Sequence, residues 1–221
     1  MGKKIIINEN NFNKILSFLN EDFQNQYAIV SSYIKNGYLC HGTSEEFDLF
    51  DEAKIKGGFR SEFGYGIYFS NETYKCLEYG DKIYITKKDL YNFWDLNGKD
   101  ITKFQEYFEI DENIIKYEYE LDNCYNNKDY DYYNNLIEQL KEEKNKFSYK
   151  EKDILDIFKL AFNKYPNNLE NVFKYVKNNV SSDYVPIISS LLLKLGYDGV
   201  KCENQFVIFN FNKLNNNFKL I

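Results

Sequence analysis

An α+β fold is predicted by three features of the sequence. Short strand-like segments alternate with turns and a short helix over the first eighty or so residues, a helical pattern runs from about Tyr130 to Leu195, and two short apolar segments follow Gly196. Taken in order, "NNFNKILSFLNEDF" sets Phe12, Ile15, Leu16 and Leu19 at helical spacing behind an asparagine, and more helix is expected to Lys35, with Gly37 ending it. "YLCHGT" and "GIYFS" read as strands separated by a glycine-rich connection from Lys56 to Gly64. Asn71 is expected to cap a short helix, "ETYKCLEY", which Gly80 stops before the strand "KIYITK". The later helices are "YYNNLIEQLKEEKNKF", "YKEKDILDIFKLAFNKY", "PNNLENVFKYVKNN" with Pro166 in its first turn, and "VPIISSLLLKLG" closed by Gly196. "YDGVKC" and "QFVIFN", joined around Glu203 and Asn204, read as a hairpin returning to the sheet. The expected organisation is one domain over residues 1–221: N-terminal helices over 1–36, a sheet core over 37–125 and 196–221, and a helical insertion over 126–195.

Composition narrows the function classes. With 43% hydrophobic and 19% aromatic residues, the 221-residue chain can bury a core without metals or disulfides. Its formal charge of -6, from 28 basic and 34 acidic side chains, lacks the broad positive field that gathers polyanions nonspecifically. Cys40, Cys76, Cys124 and Cys202 are widely separated and form no CxxC, which argues against a zinc site or a disulfide framework and for a reducing compartment. The start, "MGKKIIINENNF", has an apolar run too short for a signal-peptide core or a membrane span, so a cytoplasmic protein is expected. Abundant Asn, Lys, Ile and Tyr point to an AT-rich coding sequence, and asparagine-rich patches such as "NNNF" near the end are read as carrying little information.

The single histidine excludes several mechanisms. HExxH zinc hydrolysis needs two histidines, and no G-x-S-x-G supplies a nucleophile elbow. "His41-Gly42-Thr43" at a strand end offers an imidazole able to hydrogen-bond a ribose hydroxyl, next to a backbone without a side chain that can approach a planar amide. A lone histidine can equally be structural.

The series "HGT", "GYGIYFS", a tyrosine eleven residues after Tyr68, and "NQFVIF" resembles the histidine-tyrosine-glutamate branch of the ADP-ribosyltransferases, which contains diphtheria toxin and the poly(ADP-ribose) polymerases. The ending "GYDGV" to "NQFVIFN" is similar in style to the ADP-ribosyltransferase domains of phage and mobile-element proteins. The likeness covers Leu39 to Tyr84 and Leu195 to Asn210. It implies a split antiparallel β-sheet core, with N-terminal helices and a helical insertion beside it, cradling NAD as substrate without a metal.

Carried over residue by residue, the resemblance gives His41 the adenosine-side ribose and the Gly42 backbone the nicotinamide carboxamide, with Tyr68 and Tyr79 sandwiching the nicotinamide ring. Thr43 and Ser70 flank these contacts and join the cofactor-binding set. Gly64 and Gly66 favour Tyr68 among 21 tyrosines, since glycines let a strand pass close to a ligand. Cys76 stands where the polymerases have a serine bonded to the carboxamide oxygen; its thiol is a weaker donor, or else a small buried hydrophobe. Arg60 and Ser61 lie between the motifs, where a guanidinium could reach the pyrophosphate or simply be solvated.

The family glutamate is replaced by Gln205, whose amide oxygen can orient the nicotinamide ribose but brings no charge to an oxocarbenium-like transition state. Glu203 could supply that charge if the hairpin is already strand there, because residues two apart share a face. The catalytic candidates are therefore His41, Tyr68, Gln205 and Glu203. The expected activity is NAD-dependent mono-ADP-ribosyl transfer to a protein or nucleic-acid acceptor. The resemblance implies a toxin or phage-conflict effector in a bacterial or phage-infected cell, with an antitoxin or immunity protein as partner and no membrane. Two alternatives stay open: an inactive reader of NAD or ADP-ribose, favoured by Gln205, and a phage-packaged interaction protein with a vestigial cleft.

Overall fold

A computed structural model describes residues 21–51, 63 and 65–221. In chain order these form helix α1 (Glu21–Lys35), strands β1 (Tyr38–Thr43) and β2 (Ile67–Ser70), helix α2 (Thr73–Glu78), and strands β3 (Lys82–Lys87) and β4 (Phe93–Asp95). There follow α3 (Thr102–Phe108), α4 (Ile110–Asp122), α5 (Asn127–Asn145), α6 (Tyr149–Lys164), α7 (Leu169–Asn179) and α8 (Val185–Lys194). The hairpin β5 (Gly199–Cys202) and β6 (Gln205–Ile208), helix α9 (Phe211–Asn215) and strand β7 (Phe218–Leu220) close the chain. The protein is α+β. The helix expected over "NNFNKILSFL" and, apart from Phe63, the connection from Lys56 to Gly64, with Arg60, Ser61 and Gly64, lie outside the described residues. Among the described residues, no helix is long and apolar enough to cross a membrane.

The chain divides into two compact units. The first comprises Met1–Asp48, Phe69–Asp89 and Asn216–Ile221. In it β1 is central, pairing antiparallel with β2 (Cys40↔Ser70) and along its whole length with β3 (His41↔Tyr84, Gly42↔Ile83), while β7 pairs antiparallel with β3. Alternation sends Cys40, Ile83 and Ile85 to one face, where they pack with Val30 of α1 and Cys76 of α2. Tyr84 occupies the other face, stacked on Phe47 with ring centres 4.2 Å apart, its hydroxyl donating to the Phe47 carbonyl at 3.0 Å. Gly37, at φ 82°, ends α1 as expected, because only a residue without Cβ turns there cheaply.

The second unit comprises Leu49–Tyr68 and Leu90–Asn215. Here β5 pairs antiparallel with β6 and parallel with β4 (Trp94↔Val200), which departs from the purely antiparallel expectation. Trp94 is buried among Phe104, Phe158, Phe173 and Tyr197, and its indole N–H donates to the Asp100 carbonyl at 3.0 Å, so the largest apolar side chain is buried without an orphaned donor. Two buried carboxylates brace this unit. Asp198 accepts from the Asn92 N–H at 2.9 Å, Asn210 Nδ2 at 2.7 Å and Lys213 Nζ at 2.7 Å. Glu151 closes a capping box with Ser148 at the start of α6 and accepts from Lys194 Nζ of α8 at 2.6 Å.

Several sequence expectations are corrected. The long helical stretch begins at Thr102 rather than near residue 126: "TKFQEYF" and "IDENIIKYEYELD" form α3 and α4, which bury Phe104, Ile110 and Ile114. Pro166 precedes α7 instead of opening it. Asn168 is the cap, its side chain accepting from the Asn171 N–H at 2.9 Å. Asn71 does not cap α2; Glu72 occupies that position without a side-chain cap, and Thr73 instead shares a 3.0 Å hydrogen bond with Ser31 of α1. The asparagine-rich end is structured, since β7 adds to β3 and Thr86 Oγ1 donates to the Asn217 carbonyl at 3.2 Å. Finally, Cys40 and Cys76 form a disulfide with Cα atoms 5.9 Å apart, contrary to the reading of widely spaced cysteines as all reduced.

Candidate functional site

Strand β1 presents His41 and Thr43 on the face opposite to Cys40 and Gly42. The half-buried His41 ring lies 5.6 Å from the Phe69 ring of β2, tilted by 49°, and stands in register with buried Tyr84. Thr43 Oγ1 accepts from the Glu45 N–H at 3.1 Å, turning the chain out of the strand, and Ser70 Oγ accepts from the Glu72 N–H at 3.0 Å. Both hydroxyls therefore hold local backbone in place.

Helix α2 is fastened to this strand at three points. A Cβ added to Gly42 would overlap the Cys76 carbonyl, so this position tolerates glycine alone, for a reason internal to the chain. The same carbonyl accepts the Tyr79 N–H at 3.3 Å. Gly80, at φ 153°, lies against the Thr43 carbonyl and the Ser44 nitrogen, where any side chain would collide with backbone. The result brings Tyr79, at the end of α2 and 71% exposed, beside the end of His41-Gly42-Thr43. The third fastening is the Cys40–Cys76 disulfide. As a disulfide Cys76 has no S–H, so the donor role the resemblance implied for it is corrected: its sulfur ties helix to strand.

Tyr68, Glu203 and Gln205 belong to the second unit. The Tyr68 ring packs half-buried against the large core, and its hydroxyl accepts from the Phe63 N–H at 3.0 Å. At Gly66 a Cβ would stand 2.7 Å from the Ile208 carbonyl, so it is β6 of the chain itself that passes close there. Gln205 opens β6, half-buried and paired with Cys202 across the hairpin. Glu203 is exposed in the two-residue turn at φ 52°. The strand geometry that would have put it on the face of Gln205 is absent. A side chain in this left-handed region carries a cost of roughly 1–2 kcal/mol.

The arrangement brings His41, Gly42, Thr43, Ser70, Cys76 and Tyr79 together in the first unit. Sequence reasoning missed the Cys40–Cys76 pairing, although a signal for it existed. The resemblance set Gly42 and Cys76 on the same carboxamide, and Cys40 is the next residue on the face of Gly42. It also missed Phe69 as the aromatic neighbour of His41. Among the described residues, no group of three or more His, Cys, Asp or Glu side chains is placed to hold a metal ion. Compared with known proteins, the chain matches no family model, no curated protein and no solved structure.

Proposed function

We propose that this protein is an NAD-dependent mono-ADP-ribosyltransferase acting on a macromolecular acceptor. The observation that carries the reading is the junction of two separate motif segments: Gly42 under the Cys76 carbonyl and Gly80 against Thr43 bring the His41 strand and the exposed Tyr79 ring to one place. We read the antiparallel β2–β1–β3–β7 set as one half of a split NAD-binding sheet. In this reading His41 hydrogen-bonds the adenosine-side ribose, the Gly42 backbone meets the carboxamide, and Tyr79 stacks on the nicotinamide; a stacking role for Tyr68 rests on the sequence resemblance alone. The reaction breaks the bond between the nicotinamide nitrogen and the ribose anomeric carbon. The bonding pair leaves with nicotinamide, which departs neutral, and an acceptor nucleophile takes the anomeric carbon. The role of Gln205 at the nicotinamide ribose, through its amide oxygen, rests on the sequence resemblance alone. A toxin or phage-conflict setting, with an antitoxin or immunity partner, rests on the sequence resemblance alone.

A second reading, an inactive NAD or ADP-ribose reader, is favoured by one observation: Gln205 is uncharged, and the nearby carboxylate of Glu203 is exposed in a turn. Incubation with labelled NAD and whole-cell extract, with nicotinamide release measured in parallel, separates the two. A transferase releases nicotinamide and labels material that either protease or nuclease removes, and His41→Ala loses both signals while keeping its thermal unfolding midpoint. Binding of NAD without release establishes the reader. Full activity in His41→Ala removes this histidine from the site.

A further inference from the structure

We propose that the Cys40–Cys76 disulfide is a redox clamp: oxidised, it fixes α2 and Tyr79 on the strand carrying His41, and reduced, it releases α2 and lowers the affinity for NAD. The NAD half of this statement rests on the function proposed above; the clamping of α2 stands on the geometry alone. Cys40 immediately precedes His41, and Cys76 lies three residues before Tyr79. One covalent bond therefore ties together the two segments that form the candidate site in the first unit. Its sulfurs belong to a small core with Val30, Ile83 and Ile85, and the two residues are 1% and 2% exposed.

Helix α2 depends on such a tie. It has six residues and no side-chain N-cap, far short of the length at which a helix holds itself in water. Its other fastenings include the Ser31–Thr73 hydrogen bond, Leu77 packed on the small core, and the close backbone contacts at Gly42 and Gly80. Cys124 and Cys202 stand outside the disulfide, so the response is specific to one pair. Reduction proceeds by thiol–disulfide exchange with a dithiol. One thiolate of the dithiol attacks a sulfur of the pair, the other sulfur leaves as thiolate and takes a proton, and the second thiol of the reductant then closes its own disulfide. Two electrons and two protons pass to Cys40 and Cys76, and the dithiol is oxidised. Because both sulfurs are buried, the exchange requires α2 to open first.

The test uses the full chain, oxidised or treated with dithiothreitol. Thiol counting after denaturation without reductant should find two reactive thiols per chain, and four after reduction. Hydrogen exchange over Thr73–Glu78 should quicken on reduction, and NAD affinity should fall by about 5- to 150-fold, the usual range of coupling between two sites. Cys76→Ser should bind NAD as the reduced protein does with or without dithiothreitol, whereas Cys124→Ser should keep the redox response. If Cys76→Ser does not fold, the dithiothreitol titration of the unaltered chain decides. Four reactive thiols before reduction, or equal exchange in the two states, overturns the clamp. Equal NAD affinity in both states overturns its link to the site and leaves the transferase reading standing. If neither state binds NAD, the function proposal falls, and the clamp is upheld by faster exchange on reduction or overturned by equal exchange.

Discussion

Tyr79 keeps its ring largely in water, while Tyr68 packs half-buried on the core with its hydroxyl engaged by the Phe63 N–H. This difference makes Tyr79 the ring whose loss reads binding without unsettling the core. Tyr79→Ala should weaken NAD binding by about 1–3 kcal/mol, the range measured for base–aromatic stacking, and leave stability nearly unchanged; Tyr79→Phe should bind like the parent. Calorimetric titration with NAD checks both, and a Phe variant as weak as the Ala variant would show that the hydroxyl, not the ring face, does the binding. Gly42 poses the opposite problem, because a methyl there meets the Cys76 carbonyl instead of a flexible side chain. Gly42→Ala is expected to cost at least the roughly 1–3 kcal/mol of ordinary overpacking, read as a lowered urea midpoint at unchanged m-value. An unaltered midpoint would mean that α2 can move off the strand at little cost.

At the scale of elements, the β5–β6 hairpin separates two roles that the sequence left together. Gln205 is paired on β6 and Glu203 is in the turn, so Gln205→Glu is the substitution expected to raise nicotinamide release, by placing a carboxylate near the developing oxocarbenium charge. Glu203→Gln should leave NAD cleavage unchanged and reduce labelling of the acceptor. Measuring release and labelling separately distinguishes these effects; suppression of both by Glu203→Gln would return the charge to Glu203. The left-handed conformation of Glu203 adds a stability prediction. Glu203→Gly should stabilise the protein by about 0.5–1 kcal/mol, the relieved backbone cost less the extra freedom of glycine in the unfolded chain, and a lowered melting temperature would contradict it.

For the whole molecule, acid should be the sharpest denaturing condition. Burial alone would raise the Asp198 carboxyl, but hydrogen bonds from Lys213, the Asn92 N–H and Asn210, with the Lys213 charge, hold it below its ordinary value. Burial likewise opposes ionisation of Glu151, and Lys194 and Ser148 outweigh it, so this carboxyl is also depressed. A depressed carboxyl contributes stability that is present above its unfolded-state value and is lost as pH falls through the folded-state value, because the unfolded chain then binds more protons. Urea midpoints should therefore be level near neutrality and fall from the ordinary carboxylate range downward. Asp198→Asn should be less stable at neutral pH and show a shallower fall in acid; the same slope as the parent would mean that other carboxylates set the acid limit.

The elements legible in the sequence are those whose signals are local. Gly37, Gly80 and Gly196 each stop an element at positive φ, and the short segments "YLCHGT", "KIYITK" and "QFVIFN" form strands where they were read. Local signals failed where partners decide. Helix α3 and strands β4 and β7 are too short to show a periodicity of their own, and they form because the large core receives Phe104 and Trp94 and the β3 edge receives β7; α4 packs on α5 through Ile110, Ile114 and Ile137. The order of motifs from His41 to Gln205 could be written down from the sequence, with the type of chemistry each residue could perform. Only the tertiary structure decided that Gly42 serves the Cys76 carbonyl, that Cys40 and Cys76 are joined, and that Glu203 lies in a turn. The physical reason is the same in all three cases: side-chain type and spacing are properties of the chain, whereas which backbone lies within reach of a given atom is set by packing between segments far apart in sequence.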